Sequence, residues 1–190
     1  MKTLFDFFRG PFSQKGALPF APAPHMVQSA MRALESGAPE ETVLACLLHD
    51  VGFALHAPDH GYWGAQLVAP YVSGKVSWAI RHHQALRFYP DPEVGYEYPE
   101  SYRKIFGPDY VPEPYIEQAY REARRHRWYM EARLITLHDE YSFDPSAPLA
   151  LEQFEDIVGR HFRQPREGLG EDGSAVAHMW RTIAHPNRPL

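Results

Sequence analysis

The sequence predicts an all-α protein, and three observations carry the prediction. Apolar residues recur at helical spacings through the longer segments, as in Met130, Leu134, Leu137 and Tyr141. No alternating apolar and polar run reaches convincing strand length. Prolines and glycines fall at the junctions between periodic segments, where helices start and stop. At 190 residues the chain is long enough for one domain with a real core and too short for two independent ones, so residues 1–190 are expected to form a single domain.

Residues 1–24 are expected to be an extended lead-in. The opening Met1–Arg9 is apolar, but Asp6 and Arg9 interrupt it before it resembles an export signal. Over residues 10–24, Gly10, Pro11, Gly16, Pro19, Pro22 and Pro24 exclude a continuous helix, because each internal proline removes a donor and clashes with the preceding turn. The helical core is expected over residues 25–162. Its first helix, His25–Leu34, places Met26, Ala30, Ala33 and Leu34 on one side and stops at Ser36-Gly37. Pro39, Glu40 and Glu41 suit the first turn of the next helix, which carries Val43, Leu44, Leu47 and Leu48 toward His49-Asp50 and leaves at Gly52.

Residues 60–72 and 75–88 are two further helices separated by Ser73-Gly74, with Leu67, Val68, Val76, Ile80 and Leu86 as core contacts. Residues 89–114, rich in proline and tyrosine, are expected to be a long irregular insertion of the kind that is often functional. The longest helix is expected from Tyr115 to about Tyr141, and a last one near 149–162, after Pro145 and Pro148. Residues 163–190 form a C-terminal tail with a short helix around 174–183.

Hydrophobic content of 44% with 14% aromatics fits a soluble globular protein. No apolar stretch approaches the ~20 residues needed to span a bilayer. The one cysteine, Cys46, excludes an intrachain disulfide, suits a reducing cytoplasm and reads as a small core residue. A net charge of -5 argues against general nucleic-acid binding, which needs a basic footprint, and favours a small-molecule partner. Oligomeric state is not encoded in any of these features.

The most informative feature is His49-Asp50, a metal-binding pair directly behind an apolar helical run. Adjacent side chains project about 100° apart on a helix, so one metal at its side can take an imidazole nitrogen and a carboxylate oxygen together. Further candidates lie beside apolar stripes that must face the core: His25, His60, the neighbours His82 and His83, and Asp139. Four imidazoles and two carboxylates suit a pair of first-row metals, with one carboxylate bridging and positions left open for water, substrate or O2. Spacing alone does not choose between His82 and His83.

This order of residues resembles the HD-domain superfamily, whose pattern is H…HD…H…H…D. The resemblance spans roughly residues 25–141, implies an HD-domain helical bundle, and assigns His25, His49, Asp50, His60, His83 and Asp139 as metal ligands. His83 is preferred because Arg87 and Tyr89 follow it as in the H-x-x-x-K-R-Y pattern of the oxygenase branch. His25-Met26-Val27-Gln28 resembles that branch's H-x-x-Q, and His60-Gly61-Tyr62-Trp63-Gly64-Ala65 its H-x-x-x-G-A. Phe53 stands where the cyclic-dinucleotide phosphodiesterases commonly carry lysine, and an apolar ring cannot polarise a phosphate.

The resemblance therefore implies two iron ions in a mixed-valent Fe(II)/Fe(III) pair, with O2 as co-substrate. The expected activity is oxidation or cleavage of a small hydroxylated anion such as a 1-hydroxyphosphonate. The alternatives are a metal-dependent phosphohydrolase acting on a nucleotide or phosphate ester, the commonest activity among HD domains, and a non-catalytic HD module. The chain departs from the phosphonate-cleaving subgroup at Lys15 and Pro24, where that subgroup tends to have tyrosine and glutamate. It departs again at Phe53, in place of histidine, and at Arg87, in place of lysine. Arginine keeps the charge and adds a planar fork suited to phosphonate or carboxylate. Arg87, Gln28 and Lys15 are the candidate substrate-binding residues. Tyr96, Tyr98, Tyr102 and Tyr110 either form a lid over the metals or pack the insertion against the helices. Arg121–Arg127 reads as an exposed helix face. His56, four residues before His60, is a candidate for contact with substrate or a ligand.

Overall fold

The computed structural model describes residues 2–10, 13, 21–139, 142–144 and 146–163. Among them every regular element is helical, and the single extended feature is an isolated antiparallel bridge between Asp91 and Tyr96. The α-helices are α1 (Lys2–Arg9), α2 (Pro22–Glu35), α3 (Glu40–Leu48), α4 (His60–Val68) and α5 (Gly74–Leu86), followed by α6 (Glu100–Phe106), α7 (Pro114–Arg124), α8 (Tyr129–Asp139) and α9 (Glu155–His161). None is long and apolar enough to cross a membrane.

Helix ends follow local chemistry. Pro22 occupies the first turn of α2, where its missing N–H has no helical partner to lose. Ser73 caps α5 by accepting from the Val76 amide at 3.4 Å. Gly37, with φ +74°, supplies the left-handed residue beyond α2.

Three expectations need correction. The lead-in is not wholly extended: Lys2–Arg9 is helical because Leu4, Phe5, Phe7 and Phe8 bury one broad face, while Arg9 remains outside and pairs with Glu152 at 2.5 Å. The segment expected as one long helix is two, α7 and α8, broken over residues 125–128. His126 makes the break: its Nδ1 accepts from the Trp128 amide at 3.2 Å, and its ring stacks on Trp78 at 4.2 Å. The insertion also carries regular structure, since α6 lies within it and a 3-10 turn covers Pro92–Val94. The helix expected around 174–183 lies outside the described residues, as does Lys15.

Buried apolar side chains from α1 to α9 form a continuous cluster, reaching from Phe8 to Phe154 and Val158. Within it α5 packs against both α4 and α8, α2 against α3 and α8, and α9 against α3. This arrangement brings the start of α2, the ends of α3 and α8, the start of α4 and the last turn of α5 to one place.

Candidate metal centre

The helix α3 ends between the two residues of the dyad. His49 still has helical angles, φ -59° and ψ -34°, whereas Asp50 has turned out at φ -102° and ψ 9°. That turn lets both adjacent side chains aim inward, and both are completely buried. A 3-10 turn, Val51–Ala54, then reverses the chain toward α4. Gly52 is required there: a Cβ would lie 1.9 Å from the His60 carbonyl oxygen and 2.6 Å from the Gly64 nitrogen. The absent side chain lets the start of α4 press against the dyad.

His25, His49, Asp50, His60, His83 and Asp139 converge, and the most exposed of them, His60, retains 5% of its surface. The Asp50 carboxylate lies at the middle. Its Oδ1 is 3.2 Å from His60 Nε2 and 3.5 Å from the Nε2 atoms of His49 and His83, and its Oδ2 is 3.5 Å from His25 Nε2. Asp139 Oδ1 approaches His25 Nε2 at 2.7 Å and His49 Nε2 at 3.6 Å.

The opposite nitrogen of every imidazole faces a backbone carbonyl. His25 Nδ1 meets Ser142 O at 2.7 Å, His49 Nδ1 meets Cys46 O at 2.7 Å, His60 Nδ1 meets Ala57 O at 2.9 Å, and His83 Nδ1 meets Ile80 O at 2.6 Å. A carbonyl only accepts, so Nδ1 donates and the neutral ring presents an Nε2 lone pair to the centre. Without a cation a proton must lie between some of these atoms, as the 2.7 Å approach of His25 Nε2 to Asp139 and the raised pKa of His49 show; burial lowers that pKa, but Asp50 and Asp139 outweigh it. Both Asp50 oxygens, Asp139 Oδ1, His60 Nε2 and His83 Nε2 are buried without a hydrogen-bond partner. Buried acceptors left in this state are costly unless a cation takes their place. The residues therefore fit metal ions, and the carbonyl partners on Nδ1 are the outer contacts that fix a ligand histidine. Two trios, His25–His49–Asp139 and His49–Asp50–His83, each bring ligand atoms within 4.8 Å of one another.

Charge reinforces the same arrangement. Burial alone would raise the Asp50 carboxyl, but the surrounding imidazoles, His49 foremost, outweigh it and hold its pKa low. Burial acts likewise on Asp139, and Arg87 with His25 prevails in the same direction. His60 is pushed down to about 3, chiefly by burial, which keeps it neutral and free to ligate.

The pair His82-His83 is resolved by packing. His83 enters the centre, while His82 lies against the Trp78 ring at 4.4 Å, where burial pushes its pKa down to about 4. Two phenyl rings flank the ligands: Phe53 stacks on His60 at 4.2 Å and Phe143 on His25 at 4.5 Å. Arg87 is buried beside the ligands, its Nη2 2.8 Å from Asp139 Oδ2, and the Tyr102 ring covers its guanidinium at 5.2 Å. These two residues and Tyr96 line a small cavity next to Asp139.

Gln28 is occupied differently from the expectation that it contacts substrate. Its Nε2 donates to Asp144 O at 2.9 Å and its Oε1 accepts from Asp144 N at 2.8 Å, which clamps the segment bearing Ser142 and Phe143. His56 is exposed, and most of Arg121–Arg127 faces solvent. Tyr96 is buried with its hydroxyl donating to Arg87 O at 2.9 Å. Arg133 and Phe143 were not singled out from the sequence. Arg133, fully buried, donates to Leu86 O at 3.1 Å and Tyr89 O at 3.0 Å. The spacing of Tyr129, Arg133 and Thr136 along one face of α8 was the available signal for it.

The sequence model of the HD domain family matches residues 25–176. Over 103 residues the chain is 28% identical to a [1-hydroxy-2-(trimethylamino)ethyl]phosphonate dioxygenase (glycine-betaine-forming) of Leisingera caerulea. The aligned stretch is 46% of this chain and 53% of that relative, so the chain spans about half of the relative's length.

Proposed function

The chain belongs to the HD-domain family, and from that premise we propose that it is a di-iron, O2-dependent oxygenase. Its substrate is a small hydroxylated anion such as a 1-hydroxyphosphonate, which it oxidises or cleaves. The observation that carries the reading is the buried cluster around Asp50, in which both Asp50 oxygens, Asp139 Oδ1, His60 Nε2 and His83 Nε2 have no hydrogen-bond partner. His25, His49 and Asp139 would hold one ion and His60 and His83 the other, with Asp50 between them. Bound iron would supply one-electron chemistry and O2 binding beside a chelated substrate hydroxyl.

The protein residues do the rest. Arg87 pairs with Asp139 through Nη2 and lines the cavity, where an anionic substrate group would be held. Phe53 and Phe143 keep water off the faces of His60 and His25, lowering the local dielectric around the charges. Phe53 also favours oxygen chemistry over phosphate hydrolysis, because it offers no polar atom to a phosphoryl oxygen. Similarity to a phosphonate dioxygenase supports the same branch. Under this reading the chain acts as one domain in a reducing cytoplasm on a small molecule, not on nucleic acid.

Iron-loaded protein, reduced without air and then partly oxidised by O2, should give the exchange-coupled paramagnetic signal of an Fe(II)/Fe(III) pair. It should also consume O2 with a hydroxyphosphonate. His49→Ala and Asp139→Ala should each lose bound metal. Absence of iron together with manganese-supported release of phosphate would replace the proposal with a phosphohydrolase, and full metal content in both variants would remove the ligand assignment.

A further inference from the structure

The ligands are enclosed, and the cavity beside Arg87 and Asp139 measures about 10 Å³. That is room for one water, whereas a small organic anion needs several times the ~30 Å³ a water occupies in the liquid. Something must move before a substrate can arrive. The wall of the cavity opposite Arg87 and Asp139 is formed by Tyr96, Pro99, Ser101 and Tyr102, in and just before α6.

The two ends of this wall differ: Tyr96 and Pro99 are buried, whereas no residue of α6 is, and its rings meet the body at Phe88, 5.8 Å from Tyr102 and 5.6 Å from Phe106. The side chain of Tyr102 is therefore the part of the wall that can move without unpacking the bundle. Tyr102 lies 5.2 Å from the guanidinium of Arg87, the cation that faces the cavity.

We propose that Tyr102 is a specificity-determining gate: its half-buried ring turns off Arg87, and the anionic group of the substrate replaces it on the guanidinium. A ring quadrupole holds a cation more weakly than a full negative charge does, so the exchange favours anions and disfavours neutral polyols. The inference rests on the buried centre being where substrate reacts, but its test does not depend on which reaction occurs.

The full chain, loaded with Fe(II) or Mn(II), is mixed with a chelator and the rate of metal release is followed. Tyr102→Ala should speed release at least about fivefold, the equivalent of ~1 kcal/mol, and should bind inorganic phosphate more tightly, since no ring competes for Arg87. Tyr102→Phe keeps the ring and should release metal at the parent rate. Equal release from parent and Tyr102→Ala would overturn the gate. Unchanged phosphate affinity in Tyr102→Ala would overturn the ring-for-anion exchange. Failure to find the Fe(II)/Fe(III) signal would remove the oxygenase chemistry and leave these release rates as they are.

Discussion

Both amide atoms of Gln28 are committed to the backbone of Asp144, and the effect reaches His25 through Ser142, two residues before that contact. The clamped segment offers Ser142 O to His25 Nδ1 and Phe143 to its ring face. Gln28→Ala should therefore lower metal affinity about tenfold, the scale seen when outer partners of ligand histidines are lost. Metal titration would check it, and an affinity equal to the parent's would mean the clamp does not orient His25. At this scale the sequence picked out the six side chains that converge, because residues of these types in this order constrain chemistry strongly. It showed Arg87 as a cation near the site but not its bond to Asp139, and it left Phe143 invisible, since both facts depend on residues distant in the chain.

Among the elements, the tight join of the dyad turn to α4 is the most exacting. A methyl group at position 52 would overlap the His60 carbonyl oxygen, a backbone atom that cannot rotate away. Gly52→Ala should destabilise the fold by about 3 kcal/mol, at the upper end of overpacking costs, and weaken metal binding through His60. Denaturant unfolding would measure it; a loss below about 0.5 kcal/mol, the range of neutral surface changes, would show that α4 can shift freely. Helix identity was legible wherever glycine or proline marked an end, as at Gly37 and Pro39. It was not legible at residues 125–128, where a histidine side chain and its stacking on Trp78 end the helix without either marker. Nor was it legible in α1, whose apolar face joins a core drawn from the whole chain and whose Arg9 pairs with the distant Glu152.

Across the whole molecule, Arg133 ties three regions together. From α8 it holds the carbonyls of Leu86 and Tyr89, closing the end of α5, and it lies 3.9 Å from Asp91 Oδ2, which also accepts from the Tyr129 hydroxyl. Arg133→Leu would leave Asp91 buried without its cation and should cost about 3–5 kcal/mol. Thermal or denaturant unfolding would register the loss, and parental stability would show that Tyr129 alone satisfies Asp91. The all-α architecture followed from helical spacing, whereas this polar tie required the tertiary arrangement to be seen. The ligand set carries a related division. His49, His60 and His83 each bond the carbonyl three residues behind them, while His25 bonds Ser142, 117 positions away. Three imidazoles are thus oriented as soon as their own short segments form, and the fourth only when distant parts of the chain meet, the slower kind of event in folding. Under the proposed reading, an ion held by His25 would mark a chain whose distant segments have already closed.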